Sequence, residues 1–331
     1  MFLAKPGPWA NLLAFSLILA ASTAATAQDA VENILAAVVG VRSEVPAEAR
    51  TASSLGTERA GSGVVIDSNG LILTIGYLIM EADAVSVQLD EEQQIPADIV
   101  AYDYATGFGL IRAREPLNLA PIPMGSATDL ERTDQVLVVS FGGDNAVRPA
   151  YVVSRRNFAG YWEYLLEDAI FTSPPHPQFG GAALIGPEGE LLGIGSLVVR
   201  DALRTRDENL PGNMFIPIDA LQPIFAELLD RGRSSEPSRP WLGIYMEEHR
   251  GRLFINRVAD DGPAARAGIT PDTMILGVAG TPVDSLENFY RELWHQGEPG
   301  VEITLNVMPR DGQPTDVVVR SGDRYDWLRL E

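Results

Sequence analysis

The chain has 331 residues, 46% of them hydrophobic, and a formal net charge of −20. This length accommodates two compact domains, each with its own core. Such an acidic surface repels phosphate, which argues against nucleic acid or an anionic membrane surface as the main partner. Cysteine is absent, so thiol catalysis, thiolate metal sites and disulfides are excluded. No motif for a cofactor or a metal ion is found.

Residues 1–27 have the pattern of a cleavable secretory signal. Lys5 is the only lysine of the chain, an apolar stretch (NLLAFSLILAA) follows it, and small residues end at Ala27. The apolar stretch is shorter than the roughly 20 residues that a membrane span requires. We therefore expect an exported protein without a membrane span after cleavage, and the absence of cysteine favours the periplasm.

From Gly61 to Ile218, short apolar segments alternate with turns rich in Gly, Asn, Asp and Pro. This pattern predicts an all-β sandwich or barrel. Apolar residues at helical spacing between Asp219 and Gly232 predict a helix that closes this region.

A polar segment with two prolines, residues 233–240, predicts an interdomain linker. Five further strand-like segments and two helical segments follow. The second of these, DSLENFYRELWHQ, has Asp284 as its predicted N-cap, with Glu287 completing a capping box. A second, smaller α+β domain is expected.

Four motifs in a fixed order resemble those of the HtrA/DegP family, trypsin-type serine proteases with a C-terminal PDZ domain. They are GSGVVIDSNGLILT, DYATGFGLIRA, GGAALIGPEGELLGI and NMFIPI. The resemblance implies a mostly β chain, with a trypsin-like double β-barrel at 31–232 and a small PDZ domain at 241–322. A tail at 323–331 completes the chain.

Three positions depart from the catalytic triad that the resemblance implies. Tyr77 stands where the family has its histidine, Gly107 where it has its aspartate, and Gly180 where it has its serine. A phenol with a pKa of about 10 is a poor base at neutral pH, and glycine provides neither an orienting carboxylate nor a nucleophile. These residues predict a degenerate triad, and hence a protein that is not an enzyme.

The histidines agree with this interpretation, because the chain has only His176, His249 and His295. None precedes residue 176, so the first barrel has no histidine base. His176 lies beside the degenerate nucleophile loop, but a metal site needs several converging ligands. The sequence SPPHP is more typical of a stiff loop.

The second domain retains a recognisable binding motif. RPWLGI resembles the carboxylate-binding loop of a PDZ domain, in which backbone N–H groups hold a chain terminus while the peptide adds a strand to the sheet. The resemblance implies Leu242, Gly243 and Ile244 as the peptide-binding residues.

Two functions follow from these observations. The favoured one is a pseudoprotease that binds protein C-termini or unfolded polypeptides as a scaffold, regulator or chaperone, in partnership with an active protease relative. The alternative is an active serine endopeptidase of the HtrA family in periplasmic protein quality control. The resemblance also implies a homotrimer assembled through the protease domain.

Overall fold

The computed structural model describes residues 31–90, 92–142, 146–205, 209–235 and 238–328. The signal predicted at 1–27 lies outside the described residues. Within these ranges no helix has the length and apolar character needed to cross a membrane.

The first domain begins with a helical segment at 31–37. A closed β-barrel follows, whose strands are hydrogen-bonded in the order β1-β2-β3-β6-β5-β4. Closure leaves no strand edge exposed to another chain. An Asx turn joins β2 to β3, since the Asp67 carboxylate accepts bonds from the backbone N–H groups of Asn69 and Leu71, both at 2.8 Å. A short helix, α1 (Ala52–Leu55), follows β1. The strands are β1 (Val38–Glu44), β2 (Glu58–Val65), β3 (Leu71–Ile75), β4 (Ala84–Gln88), β5 (Gln94–Tyr102) and β6 (Phe108–Ala113).

A second closed barrel follows, with strand order β10-β11-β12-β9-β8-β7. The two barrels share a core in which Phe108 of the first and Phe171 of the second are fully buried. The sites described below lie at this interface and at the tip of the β8–β9 hairpin. The strands are β7 (Gln135–Val139), β8 (Val147–Gly160), β9 (Tyr164–Ser173), β10 (Ala183–Ile185), β11 (Leu191–Arg204) and β12 (Asn209–Pro217).

The helix that closes the second barrel is shorter than the sequence predicts. A 3-10 turn covers Ile218–Ala220, and the helix α2 covers only Phe225–Arg231. Pro223 separates the two, because proline provides no N–H for the helical ladder. Gly232 ends the helix in the left-handed conformation, with φ of 74°.

The second domain is a sheet ordered β13-β14-β15-β17-β18, with β16 paired to β15. The first and last segments of this domain lie side by side, because Trp241 and Gly322 exchange two backbone hydrogen bonds of 2.9 Å. The strands are β13 (Ile244–Glu248), β14 (Leu253–Val258), β15 (Met274–Val278), β16 (Thr281–Pro282), β17 (Glu302–Met308) and β18 (Thr315–Arg320). The helices are α3 (Pro263–Arg266) and α4 (Leu286–His295).

The N-cap of α4 is Ser285, one residue after the predicted Asp284. The Ser285 side chain accepts from the N–H of Asn288 at 3.2 Å. Asp284 instead accepts from the side-chain amide of Asn288. Glu287 does not complete a capping box but bonds to Asn157 and Arg291.

The C-terminal tail returns to the first barrel as the short helix α5 (Arg324–Trp327). The Tyr325 ring packs edge-on against Tyr104 at 4.9 Å, and Leu328 is buried in the same cluster. The predicted architecture, a mostly β chain with two barrels followed by a small α+β domain, is confirmed.

Candidate functional sites

The structure brings the predicted triad positions together at the interface of the two barrels. Tyr77 lies in a 3-10 turn (Gly76–Leu78) directly after β3. Its hydroxyl crosses to the second barrel and donates to the carbonyl oxygen of Ser196 at 3.1 Å. Burial raises the pKa of Tyr77 above its ordinary value, so the phenol stays protonated.

Gly107 adjoins the same turn through the backbone. Its carbonyl oxygen accepts from the N–H of Gly76 at 2.7 Å, and its φ of 91° is one that glycine adopts without strain. A Cβ at this position would stand 3.3 Å from the Tyr164 hydroxyl. The loop is fixed by Asp103, whose carboxylate accepts from the N–H and the hydroxyl of Thr106.

Gly180 faces Tyr77 directly. A Cβ at position 180 would stand 2.7 Å from the Tyr77 hydroxyl, so the phenol occupies the space that a side chain at 180 would need. The neighbouring N–H groups are engaged within the protein: Gln178 donates to Nδ1 of His176 at 3.1 Å, and Gly181 donates to the carbonyl of Gly195 at 2.8 Å. These N–H groups are therefore not directed at a ligand.

His176 is fully buried and performs a structural task in this loop. Its backbone N–H donates to the side chain of Asn213 at 2.6 Å, and the amide of Asn213 donates back to the His176 carbonyl at 3.1 Å. Among the described residues, no three His, Cys, Asp or Glu side chains converge as a metal site would require.

A buried arginine that sequence analysis missed supports the Tyr77 turn. Arg59 on β2 donates to the carbonyl oxygens of Tyr77 and Met80, both at 2.8 Å, and to the Thr51 hydroxyl at 2.8 Å. Burial lowers its pKa, and the nearby Glu81 carboxylate opposes that effect. This network fixes the backbone on which Tyr77 stands.

The second site lies where the loop before β13 enters that strand, at Leu242, Gly243 and Ile244, which the sequence predicts to bind a carboxylate. Gly243 has a φ of 79°, which turns three successive N–H groups towards one point. All three N–H groups donate to a single carboxylate, that of Glu163, at 2.9, 2.6 and 2.9 Å.

Sequence analysis did not single out Glu163, the residue that accepts these three hydrogen bonds. It lies in the three-residue loop between β8 and β9 and is only 4% exposed. Burial raises its pKa to about 7, against the opposing effects of the three N–H donors and of Arg324. The sequence feature that could have drawn attention to Glu163 is its position in the short turn YWE between two strand-like segments.

The two domains match separate families. Residues 61–194 match the trypsin-like peptidase domain, and residues 240–320 match the PDZ domain. The chain resembles the HtrA/DegP proteases in both domains.

Curated relatives extend the likeness across most of the chain. A probable periplasmic serine endoprotease, DegP-like, of Halomonas elongata is 28% identical over 284 residues, 80% of this chain and 57% of the relative. The protein of the same name in Pseudomonas fluorescens is 25% identical over 302 residues, 82% of this chain and 61% of the relative. The chain thus spans little more than half the length of these curated relatives.

Solved structures share the fold. The HtrA-type protease AlgW with decapeptide aligns with a TM-score of 0.53 at 20% identity, covering 90% of this chain and 98% of that one. The HtrA-type protease AlgW with tripeptide aligns with a TM-score of 0.52 at 22% identity, covering 90% of this chain and 97% of that one. At this identity the likeness establishes the trypsin-like and PDZ folds and their order.

These comparisons correct one expectation. The prediction that the chain is not an enzyme is wrong, because the relatives it matches over four fifths of its length are named serine endoproteases. The sequence argument favoured the side chains at three positions over the family resemblance, which it kept only as the alternative of an active endopeptidase.

Proposed function

We propose that this chain is an HtrA/DegP-like protein of the periplasm that binds protein C-termini or unfolded polypeptide segments through its PDZ domain. The observation that carries the proposal is the convergence of the Leu242, Gly243 and Ile244 N–H groups on one carboxylate, at 2.6–2.9 Å. A chain terminus offers the same two oxygens, and strand addition at β13 supplies main-chain hydrogen bonds.

Tyr77, Gly107 and Gly180 are, in this proposal, the degenerate equivalents of the family's histidine, aspartate and serine. Their proximity at the barrel interface supports the assignment: Tyr77 contacts position 180, and its neighbour Gly76 bonds to Gly107. Peptide hydrolysis by this chain would therefore use a nucleophile at another position.

A second candidate function is serine endopeptidase activity in periplasmic protein quality control. The names of the relatives favour it over a role in binding alone. Two serines lie close to the cluster. The Ser140 hydroxyl donates to the Gln178 side chain at 3.0 Å, and the backbone carbonyl of Ser196 accepts from Tyr77.

Export, assembly and partners are part of the same proposal. The periplasmic location rests on the names of the relatives and on the signal pattern at 1–27. A homotrimer formed through the barrels, and association with an active protease relative, follow from the likeness to HtrA proteases. With arginine as the main cation and an excess of acidic residues, the protein favours basic or neutral polypeptides.

One pair of assays separates the two candidate functions. An array of random decapeptides, synthesised with free or amidated C-termini, tests binding by the purified full chain. Preference for free C-termini supports the binding function, and equal signals for both sets contradict it.

Casein hydrolysis with fluorophosphonate labelling tests for serine endopeptidase activity. Cleavage that disappears in Ser140→Ala or Ser196→Ala would identify the nucleophile, whereas absence of both cleavage and labelling would contradict endopeptidase activity.

A further inference from the structure

The PDZ groove, between β13 and α4, contains a segment of the same chain. The tip of the β8–β9 hairpin enters it, and the Tyr161 carbonyl accepts from the N–H of Met246 on β13 at 2.9 Å. On the opposite wall, the Tyr290 hydroxyl of α4 donates to the Gly160 carbonyl at 2.6 Å. The tip thus makes main-chain contacts of the kind that a peptide makes when it is added beside a PDZ strand.

The hairpin also supplies the group that the loop is built to hold. Both Glu163 carboxylate oxygens are engaged: one accepts from Leu242, and the other from Gly243 and Ile244. The backbone N–H of Glu163 is bonded as well, to the Tyr290 hydroxyl at 3.1 Å. Side-chain carboxylate and terminal carboxylate have the same charge and the same two acceptors, so they compete for one set of donors.

A glutamate at this position is not explained by the turn itself. Its φ is 56°, in the left-handed region that favours glycine or asparagine in a three-residue hairpin loop. Burial of the carboxylate is also unfavourable unless its acceptors are satisfied. The three hydrogen bonds to the PDZ loop offset part of these costs, which indicates that the residue serves that contact.

A buried apolar contact next to the tip holds the hairpin against the PDZ domain, and an exposed ion pair lies further along it. Leu165, at the start of β9, is 5% exposed and packs in the apolar core of the PDZ domain. Glu167, further along β9, forms an exposed ion pair with Arg291 of α4 at 2.8 Å. The buried contacts lie at the tip, and the exposed ion pair lies outside the groove.

We propose that Glu163 is an internal ligand of the PDZ groove, and that a polypeptide C-terminus binds only after the hairpin tip has left. This inference rests on the proposed function, because it takes the groove to be the site for C-termini. The apparent affinity for an external peptide is then reduced by the fraction of molecules in which the groove is open.

The first test needs no external ligand and compares the wild-type protein with one variant, Glu163→Gly. Amide hydrogen exchange on the full-length mature protein reports whether the N–H groups of Leu242, Gly243 and Ile244 are protected. Slow exchange in the wild-type protein, lost in Glu163→Gly, is the expected result. Glycine keeps the turn, since it adopts this φ freely. Fast exchange at these three amides in the wild-type protein would overturn the inference, whatever the outcome with peptides.

The second test measures competition. The probe is the octapeptide RRNFAGYW, the chain's own residues 155–162, labelled at its N-terminus and made with a free or amidated C-terminus. Glu163→Gly and Glu163→Gln are the test variants. Glu167→Gln is the matched control, because it removes a carboxylate from the same hairpin without touching the loop, and exposed ion pairs contribute little.

Fluorescence anisotropy should show Glu163→Gly binding the free-acid probe at least about tenfold more tightly than the wild-type protein, as for a groove that is open in one molecule in ten or fewer. Glu167→Gln should bind like the wild-type protein. Equal affinities in wild type and both Glu163 variants would overturn the internal ligand while leaving the proposed function intact. If instead no variant distinguishes the acid from the amide, the proposed function fails, and the inference that rests on it fails as well.

Discussion

The hydroxyl of Tyr77 stands 2.7 Å from the point where a Cβ of residue 180 would be, so the tyrosine and any side chain at position 180 exclude each other. The phenol is anchored by its bond to the Ser196 carbonyl and cannot swing away without losing it. The effect of a serine introduced at position 180 should therefore depend on the side chain at position 77.

A double-mutant cycle measures this link. We expect Gly180→Ser to lower the free energy of unfolding by about 1–3 kcal/mol, as overpacked substitutions do. In a Tyr77→Ala background the same change should cost much less, which gives a coupling energy above about 0.5 kcal/mol. Urea denaturation of the four proteins provides the values. Strict additivity would show that the two positions are not in contact.

Gly243 should be essential for peptide binding. Its φ of 79° directs the three N–H groups, and a Cβ there would lie 3.1 Å from the Trp241 ring and from the Ala259 Cβ. In a Glu163→Gly background, where no internal carboxylate competes for the same N–H groups, Gly243→Ala should therefore weaken binding of a free-acid peptide by about tenfold or more, which corresponds to about 1.4 kcal/mol. Isothermal titration calorimetry with the full chain measures this affinity. Gly268→Ala is the control, because a Cβ at that glycine would meet open space. Equal losses in both variants would contradict a specific role.

Docking of the hairpin should weaken as the pH rises. The pKa of Glu163 is about 7 in the docked state, above the ordinary 4.5 that it regains in solvent. The docked state binds the proton more tightly, so docking is most stable below about pH 4.5, loses stability between 4.5 and 7, and is constant above 7. Arg324 and Tyr290 are the charged and titratable side chains that act on this carboxyl group.

Peptide titrations across this range provide the measurement. The apparent affinity of the wild-type protein for the free-acid probe should increase from pH 4.5 to 7, and Glu163→Gln should remove that increase. Subtraction of the variant's profile eliminates the contribution of other groups. The same pH dependence in both proteins would contradict a role for Glu163.

The C-terminal tail should stabilise the first barrel. Tyr325 packs between Tyr102 and Tyr104, and its hydroxyl donates to the Tyr102 carbonyl at 3.2 Å. Tyr325→Ala should lower the free energy of unfolding by about 2–4 kcal/mol through loss of a large aromatic contact. Tyr325→Phe keeps the ring and should cost about 1 kcal/mol, the typical contribution of one hydrogen bond. Thermal denaturation ranks the variants, and wild-type stability for Tyr325→Ala would show that the tail is dispensable.

The sequence predicts what depends on local patterns. Alternating apolar segments and turn residues such as Asp67 to Gly70 indicate the barrels, and RPWLGI indicates the loop before β13. The sequence does not reveal contacts between residues far apart in the chain. Glu163 meets Gly243 across 80 positions, and no periodicity encodes that meeting. The helix cap was misplaced by one residue because Asp284 and Ser285 are both good caps, and only the backbone direction selects Ser285.

The N–H of Gly243 provides the most direct test of the account, because it lies 2.6 Å from the Glu163 carboxylate at the centre of the proposed binding loop. Its NMR resonance should be recorded in the full-length mature protein while the RRNFAGYW peptide is added, first as the free acid and then as the amide. We predict that the free acid shifts this resonance to saturation and the amide leaves it unchanged. A resonance that ignores the free acid, or that responds equally to both peptides, would contradict binding of C-termini at this loop.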